Sequence, residues 1–184
     1  MPFIKALSDD AMIVHAFGLV PERAGPIIAF TEKLMRGPSP LSVAERELIG
    51  AYVSGVNSCR YCFGAHAATA QRFGVDPALF DGLMTDVDGA TVDDRLKPIL
   101  KYVKKLTETP HRMVQADADA VFAAGWDERA LIDAVNVCAL FNYFNRLVEG
   151  LGLAANRAQA ETSGDRLHEH GYFSVLKMLG LKPD

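Results

Sequence analysis

The part of the sequence best able to carry chemistry is ERELIGAYVSGVNSCRYCFGAH, residues 45–66. It holds two of the three cysteines of the chain, Cys59 and Cys62, and His66 follows four positions after the second. Glu47 lies twelve positions before the first. A thiol is a nucleophile only as its thiolate, and a free cysteine titrates at about pH 8.5. Two thiols, an imidazole and a carboxylate can together supply a nucleophile, a base that activates it and a group that orients the base.

Two predicted helices must bring these side chains together. The first covers residues 42–56 and opens with the capping-box pattern of Ser42 and Glu45, and the second covers residues 59–73. The short turn between them predicts an antiparallel hairpin.

The register of that hairpin predicts the pairing of the site. Glu47 lies ten positions before the turn near Asn57 and His66 nine positions after it. At about 1.5 Å per residue the two are at nearly the same height, so they can face each other. On the second helix Cys59, Cys62 and His66 are spaced i, i+3, i+7, which places them on one face.

This arrangement predicts redox chemistry of a dithiol. Cys59 and Cys62 occupy the first turn of their helix, where the dipole favours a thiolate. His66 can take a thiol proton directly or through water, and Glu47 can stabilise its cationic form. One thiolate can attack a peroxide and become a sulfenic acid, and the other can condense with it to a disulfide that needs an external reductant.

The spacing Glu47–x11–Cys59–x2–Cys62–x3–His66 resembles the alkyl hydroperoxidase D (AhpD) branch of the carboxymuconolactone decarboxylase-like superfamily. The later stretch ALFNYFNR, residues 139–146, is similar to one common in peroxidase-related members of that superfamily. The resemblance spans roughly residues 41–152.

The resemblance implies an all-helical fold that forms homo-oligomers. It implies that Cys62 attacks the peroxide, that Cys59 resolves the intermediate, and that His66 with Glu47 relays protons. It also implies an external dithiol reductant, a lipoylated or thioredoxin-like carrier. The chain departs from the family at Tyr61, where well-studied members carry a histidine, and a tyrosine is a poor base near neutral pH.

The remaining sequence is helical throughout, so we predict an all-α fold: an AhpD-like bundle with the CxxC hairpin at its centre. Further helices are expected at 9–17, 21–35, 76–84, 92–108, 116–125, 127–151 and 173–179. We predict one domain over residues 1–184, with N-terminal helices in 1–40, a core in 41–152 and a C-terminal tail in 153–184.

Composition excludes several classes of function. The formal net charge is −4 and no block of basic residues stands out, so nucleic acid is not an expected partner. The N-terminus lacks the pattern of a secretory signal and no apolar run is long enough for a bilayer, so we expect a cytoplasmic protein with no membrane partner. No cofactor and no metal are predicted. Zinc would need more ligands than CxxCxxxH offers, and His168 and His170 could add them only if the tail folds back.

Two other functions compete with the peroxidase. The first is a lactone- or acid-converting enzyme like the carboxymuconolactone decarboxylases, although acid–base chemistry has no need of a dithiol. The second is a redox-sensing protein that forms the disulfide with little turnover.

Overall fold

The computed structural model describes residues 1–182, and within that range it contains ten α-helices and no strand, as the all-α prediction requires. The helices are α1 (Ile13–Gly18), α2 (Pro21–Arg36), α3 (Val43–Val56), α4 (Arg60–Arg72), α5 (Ala78–Thr85), α6 (Lys97–Glu108), α7 (Gln115–Ala123), α8 (Glu128–Gly150), α9 (Arg157–His170) and α10 (Phe173–Met178). None of the helices in these residues combines the length and the apolar character that a bilayer crossing needs.

The predicted hairpin is formed by α3 and α4. Its first helix begins with the expected capping box, in which the amide of Glu45 donates to Ser42 Oγ at 3.2 Å and the amide of Ser42 donates to Glu45 Oε2 at 2.6 Å. The turn contains Ser58 in the left-handed region, with φ of 57°. Cys59 follows as the N-cap of α4, and its amide donates to Ser54 O at 2.9 Å.

Helix α3 is the most enclosed element of the hairpin, since residues 46–54 are all buried. It packs against α4, α8 and α6. Helix α8 covers one side of α3, and more than half of the residues of this long helix remain partly or fully exposed.

The C-terminal region differs from the prediction. The predicted tail, residues 153–184, has a single helix at 173–179, but the structure places a fourteen-residue helix, α9, before α10. Residues 183–184 of the predicted tail lie outside the described part of the chain. The sequence of α9 lacks a clear apolar face, because only Ser163, Gly164 and Leu167 are buried along this helix.

Helix α9 packs on α4, and this contact and that of α3 with α4 are the two most extensive between helices. Small side chains allow α9 and α4 to pack this closely. A Cβ added at Gly164 would lie 2.7 Å from the Cβ of Ala68, 3.0 Å from its carbonyl carbon and 3.1 Å from the amide nitrogen of Thr69. The two backbones are therefore as close as glycine allows.

We expect Gly164→Ala to lower the free energy of unfolding by about 1–3 kcal/mol, because backbone atoms cannot rotate away as a side chain can. Gly25→Ala is the matched control: it also lies in a helix, with nothing within 4 Å of an added Cβ. Alanine there should stabilise by up to about 1 kcal/mol through helix propensity. Urea unfolding followed by circular dichroism measures both, and equal effects would contradict the close approach of α4 and α9.

Candidate active site

Glu47 and His66 meet across the hairpin as the register predicts. Oε2 of Glu47 lies 2.7 Å from Nδ1 of His66. The Glu47 side chain is fully buried and that of His66 is 12% exposed. With Nδ1–H directed at the carboxylate, Nε2 is the ring nitrogen that remains to accept a proton.

Two further residues, which the sequence analysis missed, hold the same carboxylate. Arg36 Nη1, at the end of α2, donates to Oε1 of Glu47 at 2.6 Å. The Tyr172 hydroxyl, just before α10, donates to the same oxygen at 2.8 Å and lies 3.4 Å from Nδ1 of His66. The site is thus built from α2, α3, α4 and the C-terminal helices.

Arg36 also joins the C-terminal helices to the site. Its Nη2 donates to Leu167 O at 3.0 Å, and its guanidinium lies over the rings of Phe73 and Tyr172, 5.1 and 4.9 Å from their centroids. The contacts of Arg36 and Tyr172 with Glu47 depend on the packing of helices that are distant in the sequence. The spacing of these two residues from the CxxC pattern therefore gives no sign of their role.

The electrostatics fix the charge of this cluster. Burial alone would raise the pKa of Glu47, but the charges of His66 and Arg36 and their hydrogen bonds outweigh it, so the pKa falls below its ordinary value of 4.5. Burial, with the Glu47 carboxylate nearby, raises the pKa of Tyr172 well above its usual range. Glu47 is therefore an anion near neutral pH, and Tyr172 stays protonated and donates to it.

The two cysteines are free thiols and both are buried. A hydrogen bond from the Cys62 side chain lowers the pKa of Cys59, with help from the Cys62 backbone amide, while burial and the Glu149 carboxylate oppose the shift. The same sulfur–sulfur hydrogen bond, followed by burial, raises the pKa of Cys62. Of the two thiols, Cys59 is therefore the one that ionises more readily.

One pocket of about 70 Å³ opens beside these groups. Cys62 and His66 both line it, whereas Cys59 does not. Among residues 1–182 no hydrogen bond joins His66 to either sulfur, so a proton passing between Cys62 and His66 must cross the pocket. The other lining residues are mostly apolar and come from α1, α2, α4, α8, α9 and α10: Ile13, Phe17, Ile28, Tyr61, Ala65, Phe144, Ser163, Arg166, Leu167, Tyr172 and Val175.

Tyr61, which replaces the histidine of the family pattern, also lines this pocket. Its hydroxyl accepts the amide hydrogen of Ile13 at 2.9 Å. Burial raises the pKa of Tyr61 to about 12, so the phenol stays neutral and cannot serve as a base near neutral pH.

Asparagines of α8 hold the turn that carries Cys59. Asn57 Nδ2 donates to Oδ1 of Asn142 at 3.1 Å and to Oδ1 of Asn145 at 2.9 Å. Asn145 Nδ2 in turn donates to Ser54 Oγ at 3.0 Å. Neither Asn142 nor Asn145 lines the pocket, so their role is to make these hydrogen bonds.

The tail folds back, but its histidines do not approach the cysteines. His168 packs edge-on against Phe73, with ring centroids 4.6 Å apart, and His170 is exposed. Within residues 1–182 no group of three His, Cys, Asp or Glu side chains is placed to hold a metal ion. The third cysteine, Cys138, is buried away from the pocket beside Thr107, with 3.3 Å between its Sγ and the hydroxyl oxygen.

Comparison with known proteins assigns the family. The family model described as "Carboxymuconolactone decarboxylase family" matches residues 21–88, which contain all four predicted site residues. The crystal structure of an uncharacterized peroxidase-related protein from Silicibacter sp. TM1040 is 30% identical, with a TM-score of 0.74, and the match covers 80% of this chain and 78% of that one. The chain belongs to the AhpD-like branch of the carboxymuconolactone decarboxylase superfamily.

A second solved AhpD-like structure has the same fold. It is described as an alkylhydroperoxidase AhpD core, an uncharacterized peroxidase-related protein from Ralstonia eutropha JMP134. It is 23% identical, with a TM-score of 0.72, and the match covers 79% of this chain and 78% of that one. No curated protein matches the sequence.

The buried cluster predicts how stability depends on pH. Because the pKa of Glu47 is depressed in the folded protein, its contribution is fully present above pH 4.5 and is lost as the pH falls below that value through the folded pKa. Glu47→Gln should cost about 3 kcal/mol at neutral pH, since it leaves Arg36 without its anion. As the pH falls below 4.5, the free energy of unfolding of Glu47→Gln should decrease less than that of the wild type.

Urea unfolding at a series of pH values between neutrality and pH 3 tests this. Glu22→Gln is the control, because the Glu22 side chain is 67% exposed and pairs only with the neighbouring Arg23. If the two variants follow the same curve, the Glu47 cluster does not stabilise the fold as an ion pair.

Proposed function

We propose that this AhpD-like protein is a thiol-dependent peroxidase that works through a Cys59/Cys62 dithiol–disulfide cycle. The observation that carries the proposal is the position of Cys62, which shares one pocket with His66 while Glu47 braces that ring at 2.7 Å. The relation to a peroxidase-related protein at 30% identity supports the same class of chemistry.

The first step is attack on the peroxide by Cys62, the sulfur that lines the pocket. Cys59 is the sulfur that ionises more readily, so the Cys62 thiol first gives its proton to the Cys59 thiolate or, across the pocket, to Nε2 of His66. The Cys62 thiolate then bonds to one peroxide oxygen and becomes a sulfenic acid. The O–O bond breaks, and the departing alkoxide takes the proton now held by Cys59 or His66 and leaves as the alcohol.

Cys59 then resolves the intermediate. Its thiolate bonds to the Cys62 sulfur, the S–O bond breaks, and the sulfenic oxygen leaves as water with a proton taken up from solvent through His66. An external dithiol returns the disulfide to two thiols by exchange. The sum is one peroxide and one external dithiol converted to one alcohol, one water and one external disulfide.

Arg36 and Tyr172 are positioning residues in this scheme. They share one oxygen of Glu47 and leave the other for His66, so the carboxylate is held in place to stabilise the imidazolium.

The partners belong to the same proposal. The reductant is a dithiol carrier, lipoylated or thioredoxin-like, acting in a reducing compartment such as the cytoplasm. We further propose that the chain forms a homo-oligomer, since it exposes large apolar side chains, among them Phe3, Phe30 and Ile132.

Cysteine variants test the mechanism directly. Wild-type protein should consume an organic hydroperoxide with dithiothreitol as reductant, and Cys62→Ser should abolish this. His66→Ala should slow it by about a hundredfold or more. The matched control is Cys138→Ala, which removes the buried cysteine remote from the pocket and should leave the rate unchanged.

Mass spectrometry after one equivalent of peroxide distinguishes the stages. Wild-type protein should lose two hydrogens, and Cys59→Ser should retain a sulfenic acid on Cys62. A Cys62→Ser protein that still turns over would refute the assignment of the nucleophile. One disulfide per chain without further turnover would identify a redox sensor, and conversion of a muconolactone-type acid by protein with both cysteines alkylated would favour the decarboxylase-like alternative.

A further inference from the structure

The reactive pocket contains a cation that the mechanism does not use. Arg166 of α9 lines the pocket together with Cys62 and His66. It is partly buried, and no carboxylate among residues 1–182 pairs with it. Its Nη1 contacts only the sulfur of Met178, at 2.8 Å, and its buried Nε has no hydrogen-bond partner in the described chain.

The other sheltered arginines near the site bind an anion or backbone carbonyls through their terminal nitrogens, although the buried Nε of Arg36 also has no hydrogen-bond partner in the described chain. Arg36 pairs with Glu47, and Arg46 donates to Leu34 O and Gly37 O at 2.6 and 2.9 Å. A partly buried guanidinium with unused donors is costly unless something binds it, and a carboxylate fits its planar donor face.

Tyr61 adds a second donor to the lining of the same pocket. Its hydroxyl oxygen accepts from Ile13, and no acceptor among residues 1–182 takes its own hydrogen. Because the phenol stays neutral, that hydrogen is available to a ligand. A charged donor on α9 and a neutral donor on α4 therefore face one pocket whose remaining lining is largely apolar.

We propose that Arg166 and Tyr61 bind a carboxylate of the substrate, and that the substrate class is short organic hydroperoxides bearing a carboxylate. This inference rests on the proposed peroxidase function. In such a substrate only a few atoms separate the carboxylate from the peroxide group, because Arg166 and Cys62 line the same pocket of about 70 Å³. The carbon chain between these two groups of the substrate is aliphatic, because apolar side chains such as Ile13, Ile28 and Val175 line the pocket.

Two hydroperoxides that differ by one carboxylate test the proposal. These are tert-butyl hydroperoxide and 3-hydroperoxy-3-methylbutanoate, in which one methyl group carries the acid. Wild-type protein should have the higher kcat/KM for the acid. Arg166→Met should raise KM for the acid about tenfold or more with little change in kcat, and should change KM for the neutral hydroperoxide far less.

Three variants complete the comparison. Arg166→Lys should recover part of the preference, since it restores the charge without the planar donor pair. Tyr61→Phe should weaken the preference less than Arg166→Met does. Arg157→Met is the control, because it removes an arginine from the same helix whose side chain is 95% exposed, and it should change nothing.

A binding measurement separates this proposal from the peroxidase mechanism. Titration of reduced protein with 3-hydroxy-3-methylbutanoate, a non-reacting analogue, should release heat in the wild type and not in Arg166→Met, and tert-butanol should bind neither. If the protein binds the hydroxy acid through Arg166 but consumes no hydroperoxide, the anion site stands and the peroxidase function falls. If it consumes both hydroperoxides alike and Arg166→Met changes nothing, the anion site is wrong and the peroxidase stands.

Discussion

A carboxylate sealed from water organises this molecule. Glu47 is wholly buried, and an ion in that position is tolerable only where charges and hydrogen bonds replace its hydration. Arg36, His66 and Tyr172 supply them, and each comes from a different segment of the chain. The requirement to satisfy one anion thus fixes how α2, the hairpin and the C-terminal helices meet, and it orients the imidazole at the same time.

The two cysteines differ in their roles: Cys59 ionises more readily, whereas Cys62 lines the pocket that the substrate enters. Cys59 caps the N-terminus of α4 and has the lower pKa of the two, but it does not line the pocket. Cys62 lines the pocket, and its pKa is raised by its partner and by burial. Such an arrangement keeps the sulfur that lines the pocket in the thiol form, and a single proton transfer to a neighbouring group makes that sulfur reactive. The asparagines of α8 matter here because they hold the turn that sets the position of Cys59.

The hairpin and the pairing of Glu47 with His66 could be predicted from sequence because both depend on local rules. The capping box of Ser42 sets where α3 begins, and helical rise sets which residues lie level across a short turn. Arg36 and Tyr172 could not be found this way, since they reach Glu47 from 11 and 125 positions away through tertiary packing.

Helix α9 was missed for a different reason. It buries only small residues and one leucine, so it lacks the apolar stripe by which a surface helix is recognised. One signal was present: Asn156 and Gln159 form a capping box, with the amide of Gln159 donating to Asn156 Oδ1 at 2.9 Å and the amide of Asn156 donating to Gln159 Oε1 at 2.9 Å. That pair is a less familiar form of the pattern that identified α3.

The walls of the pocket have a consequence for how such a protein can diverge. The sulfurs, the ring and the acid all lie within residues 21–88, the segment that matches the family model, whereas residues 163–175 close the opposite side from beyond it. The reacting residues and the pocket wall at residues 163–175 are therefore encoded in separate parts of the gene. Substitutions in that wall, for example at Arg166, can change which substrates bind while the cysteine chemistry stays the same.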